Sequence, residues 1–151
     1  MILHILLDSY PLGLLSTPVR SNATVPVANW TADCVEAGHE IYIPEVIDYE
    51  LRRELLRAKK NSSITTLDSL RTYFNFLPIN SAAMMLAAEL WATSRQSGFS
   101  TGDPKKLDVD VILAAQALTL GVSRSELVIA TSNVSHLSRF VSAKEWHNIK
   151  P

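Results

Sequence analysis

Short, uniformly apolar runs alternate along this chain with stretches whose apolar residues recur at helical spacing. Ile2–Leu7 is apolar throughout and too short for a helix, which predicts a strand buried on both faces, as in a parallel sheet. Residues 9–28 contain Pro11, Gly13, Pro18 and Pro26, and read as a long irregular connection with at most one helical turn. Asn29 can cap a helix running to about Ala37, where Gly38 stops it. His39–Ile43 predicts a second strand, and Pro44 suits the first position of a helix from Glu45 to about Lys60 that buries Ile47, Leu51, Leu55 and Ala58.

Asn61-Ser62-Ser63 reads as a loop, followed by Leu67, Leu70 and Phe74 at helical spacing and a short strand at Phe76–Ile79. Asn80 or Ser81 then caps an Ala- and Met-rich helix through about Gln96, ended by Gly98. Its apolar girth predicts burial, or one half of a homodimer interface. A polar loop at 98–107 leads to a helix from about Asp108 to Leu120, closed by Gly121. Leu127–Thr131 predicts a strand, Val134–Phe140 a short helix, and Trp146–Lys150 a final strand. Strands alternating with helices imply an α/β/α sandwich around a mainly parallel sheet of four to five strands.

The 151 residues suit one domain, spanning 1–151, and show no repeat, low-complexity segment or linker. No apolar run approaches the ~20 residues needed to span a bilayer, and Ile2–Leu7 is too short for the core of a signal peptide, so no membrane partner and a cytoplasmic location are expected. The lone Cys34 excludes an internal disulfide and a cysteine-based zinc site. With 14 basic and 15 acidic residues, net charge −1, the chain as a whole is no basic magnet for nucleic acid. Its cations are uneven, however. Arg52, Arg53, Arg57, Lys59 and Lys60 crowd one segment, and Lys105-Lys106 precede an acidic pair, which makes either a solvated surface or a rim for phosphates.

The acids carry the chemistry. Asp8 ends the first strand, Glu50 follows the second, Asp108 and Asp110 open the apolar helix Val111–Gln116, and Asn133 follows the last apolar run. Oxygen ligands at the carboxyl ends of buried strands and the starts of helices can gather round a hard cation. Each also has a simpler account. Asp110 can complement the dipole of a helix whose first turn it occupies, and Asp108, two positions earlier, can be the cap of that helix. Glu50 shares its helix with Glu45, Asp48 and Glu54, and its i,i+3 relation to Arg53 suits an exposed ion pair. Asn133 can cap the next helix and Ser9 can form a turn; His136, three residues after Asn133, can face the site and touch a phosphate or be an ordinary helix residue. For Asp8 the simpler account is weakest, since a strand-end acid must find amides, a cation or water.

If the acids converge, two carboxylates ~5 Å apart repel by roughly 3 kcal/mol at an effective dielectric of 20, and they also repel a phosphodiester. A divalent ion reverses both effects. Oxygen-only ligands favour Mg²⁺ or Mn²⁺ over Zn²⁺ and point to phosphodiester hydrolysis. No Gly-rich phosphate loop, Ser-His-Asp spacing or Cys-His pair competes with this reading.

The segments Leu6-Leu-Asp8-Ser9, Tyr49-Glu50-Leu51, Asp110-Val-Ile-Leu-Ala-Ala115 and Ala130-Thr-Ser-Asn133-Val-Ser-His136 resemble, in order and spacing, the PIN-domain family of VapC-type toxin ribonucleases. The resemblance spans nearly the whole chain. It implies a Rossmann-like sandwich, Mg²⁺- or Mn²⁺-dependent cleavage of RNA, homodimers, and a small antitoxin protein docked against the active-site groove. It matches Asp8, Glu50 and Asp110 to the family's first three acids, with Asp8 and Asp110 as direct metal ligands and Glu50 as a ligand or the positioner of the attacking water. Thr131 matches the family's Thr-x-Asp pattern and would orient the acids, with Ser9 and Asp108 in support. Asn133 stands where the family has a fourth acid, so a second cation would be held less tightly. A different class remains open, a PIN-like module that binds RNA or a protein without turnover. A phospho-accepting receiver domain ranks low, because its acidic pair belongs after the first strand.

Overall fold

The computed structural model describes residues 1–98 and 104–151. Strand β1 (His4–Leu7) lies at the centre of the sheet, in the order β3-β2-β1-β4-β5, with β2 at Glu40–Pro44, β3 at Asn75–Leu77, β4 at Leu127–Ala130 and β5 at Ala143–Lys144. All four pairings are parallel, and Leu7 stands opposite Ala130. The chain winds outward from β1 through β2 to β3, then crosses back to β4. The strand order therefore reverses between β1 and β4, which opens a crevice at their carboxyl ends. This is an α/β architecture with a five-stranded, all-parallel sheet between helices.

The sheet is parallel because both its faces are covered. Ile5, Leu6, Leu7, Ile41, Ile43 and Ile129 are fully or almost fully inaccessible, and helices flank the sheet. Parallel strands in this setting need apolar residues at every position rather than alternation.

Four differences from the sequence expectations have clear causes. The connection at 9–28 contains two helices, α1 (Ser9–Ser16) and the start of α2 (Thr24–Glu36). Pro11 and Pro26 each lie third in their helix, where the missing N–H would have no intrahelical partner, so neither breaks it. Asn29 is thus inside α2. The entry to that helix is held by Ser21, whose Oγ accepts from Thr24 N (3.2 Å), while Thr24 Oγ1 accepts from Ser21 N (2.9 Å). Pro44 ends β2 and caps α3 (Glu45–Arg57) from outside, and Ala58, expected in the core, is exposed.

Second, Asn61-Ser62-Ser63 begins helix α4 (Asn61–Tyr73), and the reversal before it is made by Lys59 at φ 55, a left-handed position with no glycine to announce it. Third, the C-terminal strand is β5 at Ala143–Lys144, and Trp146–Asn148 is a 3-10 turn. Between β4 and β5 the helix α7 spans only Val134–Leu137. Fourth, α5 (Ser81–Gln96), capped by Asn80 as expected, buries only Ala83, Ala87 and Ser94. These alanines meet Leu107, Val111 and Ala115 of α6 (Pro104–Leu118), while Met85 is 72% exposed and Met84 and Trp91 are also open.

Helix α6 begins at Pro104, and Gly121, beyond its end, takes φ 85 where a side chain would strain the backbone. The loop expected at 98–107 falls partly on residues 99–103, outside the described residues. Buried Gln116 fixes the rotation of α6. It accepts from Val46 N (3.3 Å) and donates to Leu77 O (2.8 Å), joining α6 to α3 and the end of β3. Among the described residues no helix is long and apolar enough to cross a membrane.

Leu113 of α6 is fully buried and Met85 of α5 largely exposed. Leu113→Ala should lower unfolding free energy by about 3 kcal/mol, and Met85→Ala should stay within ~0.5 kcal/mol. Urea denaturation checks both; equal losses would place α5 in the core.

Candidate active site

Asp8 follows β1 directly, its amide donating to Ala130 O (2.9 Å) at the carboxyl end of β4. It is also the N-cap of α1: Ser9 N donates to Asp8 Oδ1 (2.7 Å). Its other oxygen, Oδ2, accepts from Thr131 Oγ1 (2.6 Å), and Thr131 Oγ1 in turn accepts from Asn133 N (2.8 Å). One hydroxyl thus ties the ends of the two central strands and the turn after β4 into a single unit. Thr131 is itself buried, so the hydrogen bond is shielded from water.

Glu50 sits midway along α3, and the structure separates it from the three other acids of that helix. Glu45 Oε1 accepts from Ile79 N (2.8 Å), Asp48 pairs with Arg52 (2.9 Å), and Glu54 pairs with Arg57 (2.9 Å). Glu50 instead accepts a hydrogen bond from the Ser9 side chain and feels the charge of Asp8. Arg53, expected as its ion-pair partner, lies over the Tyr49 ring at 5.2 Å and acts on Glu50 only as a nearby charge.

Asp110 faces the same point from α6. It is buried, and its Oδ2 has no hydrogen-bond partner among the described residues. The helix begins six residues before it, so Asp110 is not in the first turn and the dipole account fails. Asp108, for the same reason, is not a cap. It is exposed and lines a groove with Met84, Trp91 and Ile112 on the side of α6 turned to α5, so it does not join the other acids. Asn133 precedes α7 without any side-chain cap bond; its Nδ2 lies 3.2 Å from His136 Nδ1. That imidazole nitrogen is 3.9 Å from Asp110 Oδ2, so His136 belongs to the site's edge. Its position three residues after Asn133, one helical turn on, was the available signal. Arg139 and Lys106 also act on Asp110 as opposing charges; Arg139 has no such spacing to reveal it.

The three acids share one electrostatic fate. Burial raises the pKa of Asp8, against the lowering effect of its bonds to Thr131 and Ser9. Burial and then Asp8 raise that of Glu50. Burial, Asp8 and Glu50 together push Asp110 up to about 6, with Arg139 and Lys106 offsetting part of the rise. Asp8 acts on Glu50 and both act on Asp110, so the three carboxylates lie within electrostatic reach of one another although they come from three elements.

Among the described residues no three His, Cys, Asp or Glu side chains stand in a ready-made metal cage. Mutual repulsion of unneutralised carboxylates opposes such closure. The donor set nevertheless fits a hard divalent cation: three carboxylates, a neutral amide nearby, and a buried carboxylate oxygen with no hydrogen-bond partner among the described residues.

By sequence the chain matches no family model and no curated protein. Solved structures are more informative. A chain of the VapBC2 complex from Rickettsia felis, bound to a DNA fragment from their promoter, is 15% identical with a TM-score of 0.72, over 95% of this chain and 99% of that one. The fold is PIN-like. A chain of VapBC-1 from nontypeable Haemophilus influenzae is 18% identical (TM-score 0.69; 97% and 100% covered). One from DNA-bound VapBC of Salmonella typhimurium is 13% identical (TM-score 0.64; 97% and 99%). The PIN-like chain thus spans its structural neighbours end to end, and the resemblance read from its short segments extends over the whole fold.

The raised pKa of Asp110 has a stability consequence. The folded chain holds this proton up to about pH 6, against 3.8 ordinarily. The associated stability is full below pH ~4 and is lost as pH rises through 6, by on the order of 2 kcal/mol. Asp110→Asn should therefore melt several degrees above the wild type at pH 7.5, with the gap closing at pH 4. Added Mn²⁺ should raise the wild type and not the variant. Identical melting of the two proteins at both pH values would refute the burial argument.

Proposed function

We propose that this chain is a metal-dependent endoribonuclease, the toxin of a toxin–antitoxin pair, hydrolysing RNA phosphodiesters with Mg²⁺ or Mn²⁺. The carrying observation is the convergence of Asp8, Glu50 and Asp110 at the strand-order switch, with Asp110 Oδ2 buried and unpartnered. Asp8 and Asp110 would hold the cation, and Glu50 would hold it or position the attacking water. The bound ion would supply charge neutralisation and a lowered water pKa. Thr131 keeps one Asp8 oxygen turned to it, leaving Asp8 limited freedom to reorient. Ser9 holds Glu50 from the other side. Lys106 and Arg139 bring positive charge to a centre that would otherwise repel a phosphodiester.

The partners follow from the same reading. The structural neighbours come from VapBC complexes, which supports a small antitoxin as the silencing partner, and a cytoplasmic setting goes with it. The open Met84, Met85 and Trp91 of α5 suit a second copy of the chain. Single-stranded or looped RNA is the favoured substrate, because the phosphodiester must reach acids that lie in a crevice.

One observation favours a second reading, a PIN-like module that binds RNA or protein with little turnover. Asn133 is neutral and spends its amide on His136, so the acid set stops at three. The deciding experiment is cleavage of a mixed RNA pool by purified protein. Cleavage should require Mn²⁺ or Mg²⁺, vanish with EDTA, and fall by roughly 10²-fold or more in Asp110→Ala. Thr131→Val, which removes the hydroxyl that donates to Asp8 and accepts from Asn133 N, should lower it about 10–100-fold. RNA binding with no cleavage under any metal would favour the second reading.

A further inference from the structure

Beside the acids lies a cavity of about 430 Å³ that their chemistry does not use. Its walls include Tyr10 and Leu14 of α1 and Trp146 of the C-terminal 3-10 turn; Asn22, Thr131 and Glu145 add polar groups. Three features make it more than a surface dent. It is anchored to the site, because Thr131 lines it and also donates to Asp8 Oδ2 (2.6 Å). Tyr10, next in the chain after Ser9, carries its ring 53% exposed. Trp146, also in the lining, is held in place: it packs on Trp30 (centroids 5.8 Å apart), and Trp30 Nε1 donates to Ile149 O (2.8 Å). The carboxylate of Glu145 is steadied by His147 Nε2 at 3.2 Å.

We infer that this cavity receives the unpaired base flanking the scissile phosphate, and that Glu145 favours guanine there. The inference rests on the ribonuclease reading above. Its volume lies within the ~300–1,000 Å³ typical of small-ligand sites, and stacking of a flat base on aromatic side chains such as Tyr10 and Trp146 is a usual way proteins hold single-stranded RNA. A phosphate at Asp8 leaves its neighbouring nucleotide within reach of Thr131 and hence of the cavity mouth. A carboxylate only accepts hydrogen bonds at neutral pH, so it selects a base whose edge donates. Guanine presents N1–H and N2–H side by side, matching the two oxygens of Glu145. Uracil offers one donor between two carbonyls, which a carboxylate repels.

The test is sequencing of the cut ends of a randomised single-stranded RNA library. The wild type should show guanine enriched at one position adjoining the cut. Glu145→Gln should reduce that enrichment about tenfold, and Tyr10→Ala should raise KM for the preferred substrate. Tyr10 is chosen over Trp146 because the latter packs on the core through Trp30. No enrichment in the wild type, or the same enrichment in both variants, overturns the proposal. If the wild type cuts nothing, the ribonuclease reading fails separately. Fluorescence of single-stranded RNA carrying thienoguanosine, a guanine analogue that keeps N1–H and the 2-amino group, then decides the cavity alone: a change on adding the full chain that is lost in Tyr10→Ala supports a base site, and no change overturns it.

Discussion

The position of β1 between β2 and β4 is the constraint from which the rest of this molecule follows. A strand buried on both faces and paired on both edges brings the residue that ends it to the heart of the sheet: β1 parts from β2 after Leu6 and from β4 after Leu7, and Asp8, its amide still bonded to Ala130 O, is that residue. The crossover from β3 to β4 leaves the crevice at that point, and α3 and α6, joined through Gln116, bring Glu50 and Asp110 to it. The cost is three carboxylates in partly desolvated surroundings. The fold tolerates it by distributing partners unevenly. Asp8 has two side-chain hydrogen bonds, Glu50 has one from Ser9, and Asp110 Oδ2 has none among the described residues, with the His136 imidazole 3.9 Å away and the charges of Arg139 and Lys106 acting on it. The site is most strained electrostatically at Asp110, where a cation would gain most.

The supporting bonds are backbone-anchored, which explains how a strained cluster keeps its shape. Thr131 sits on the last pairing step of the sheet, its own amide bonded to Lys144 O (2.9 Å). Its hydroxyl therefore inherits the rigidity of β4. The carboxylates of α3 that face elsewhere are tied down as well. Asp48 and Asp68 share Arg52, which locks α3 to α4 and leaves Glu50 to face inward.

Much of the sheet was legible in the chain because both-face burial writes a continuous apolar run. Ile2–Leu7 and Leu127–Thr131 needed no arbitration between periods. The site was legible to the extent that its acids follow such runs, as Asp8 does. Glu50 was not separable from its helix neighbours by periodicity, since what distinguishes it is Ser9, far away in sequence. Asp108 reads as a cap only for a helix that starts at the acids; α6 starts at Pro104, and a shift of one turn in a helix start exchanges a cap for an exposed side chain. The helices of 9–36 were hidden because proline is counted as a breaker until its place in the first turn is known. Lys59 shows the opposite failure, a chain reversal without a turn residue.

Gln116 carries an implication for how this chain can vary in length. It lies six residues beyond Asp110 on one continuous helix and is clamped at both ends of its amide, by Val46 N and Leu77 O. A single residue inserted between the two positions would turn Asp110 by about 100° relative to that clamp, swinging its carboxylate out of the crevice while the core beyond Gln116 stayed whole. A deletion would do the same in the other sense. Relatives of this protein that keep both residues should therefore tolerate insertions almost anywhere in their surface loops and none within this stretch, which acts as a ruler between the scaffold and its charge.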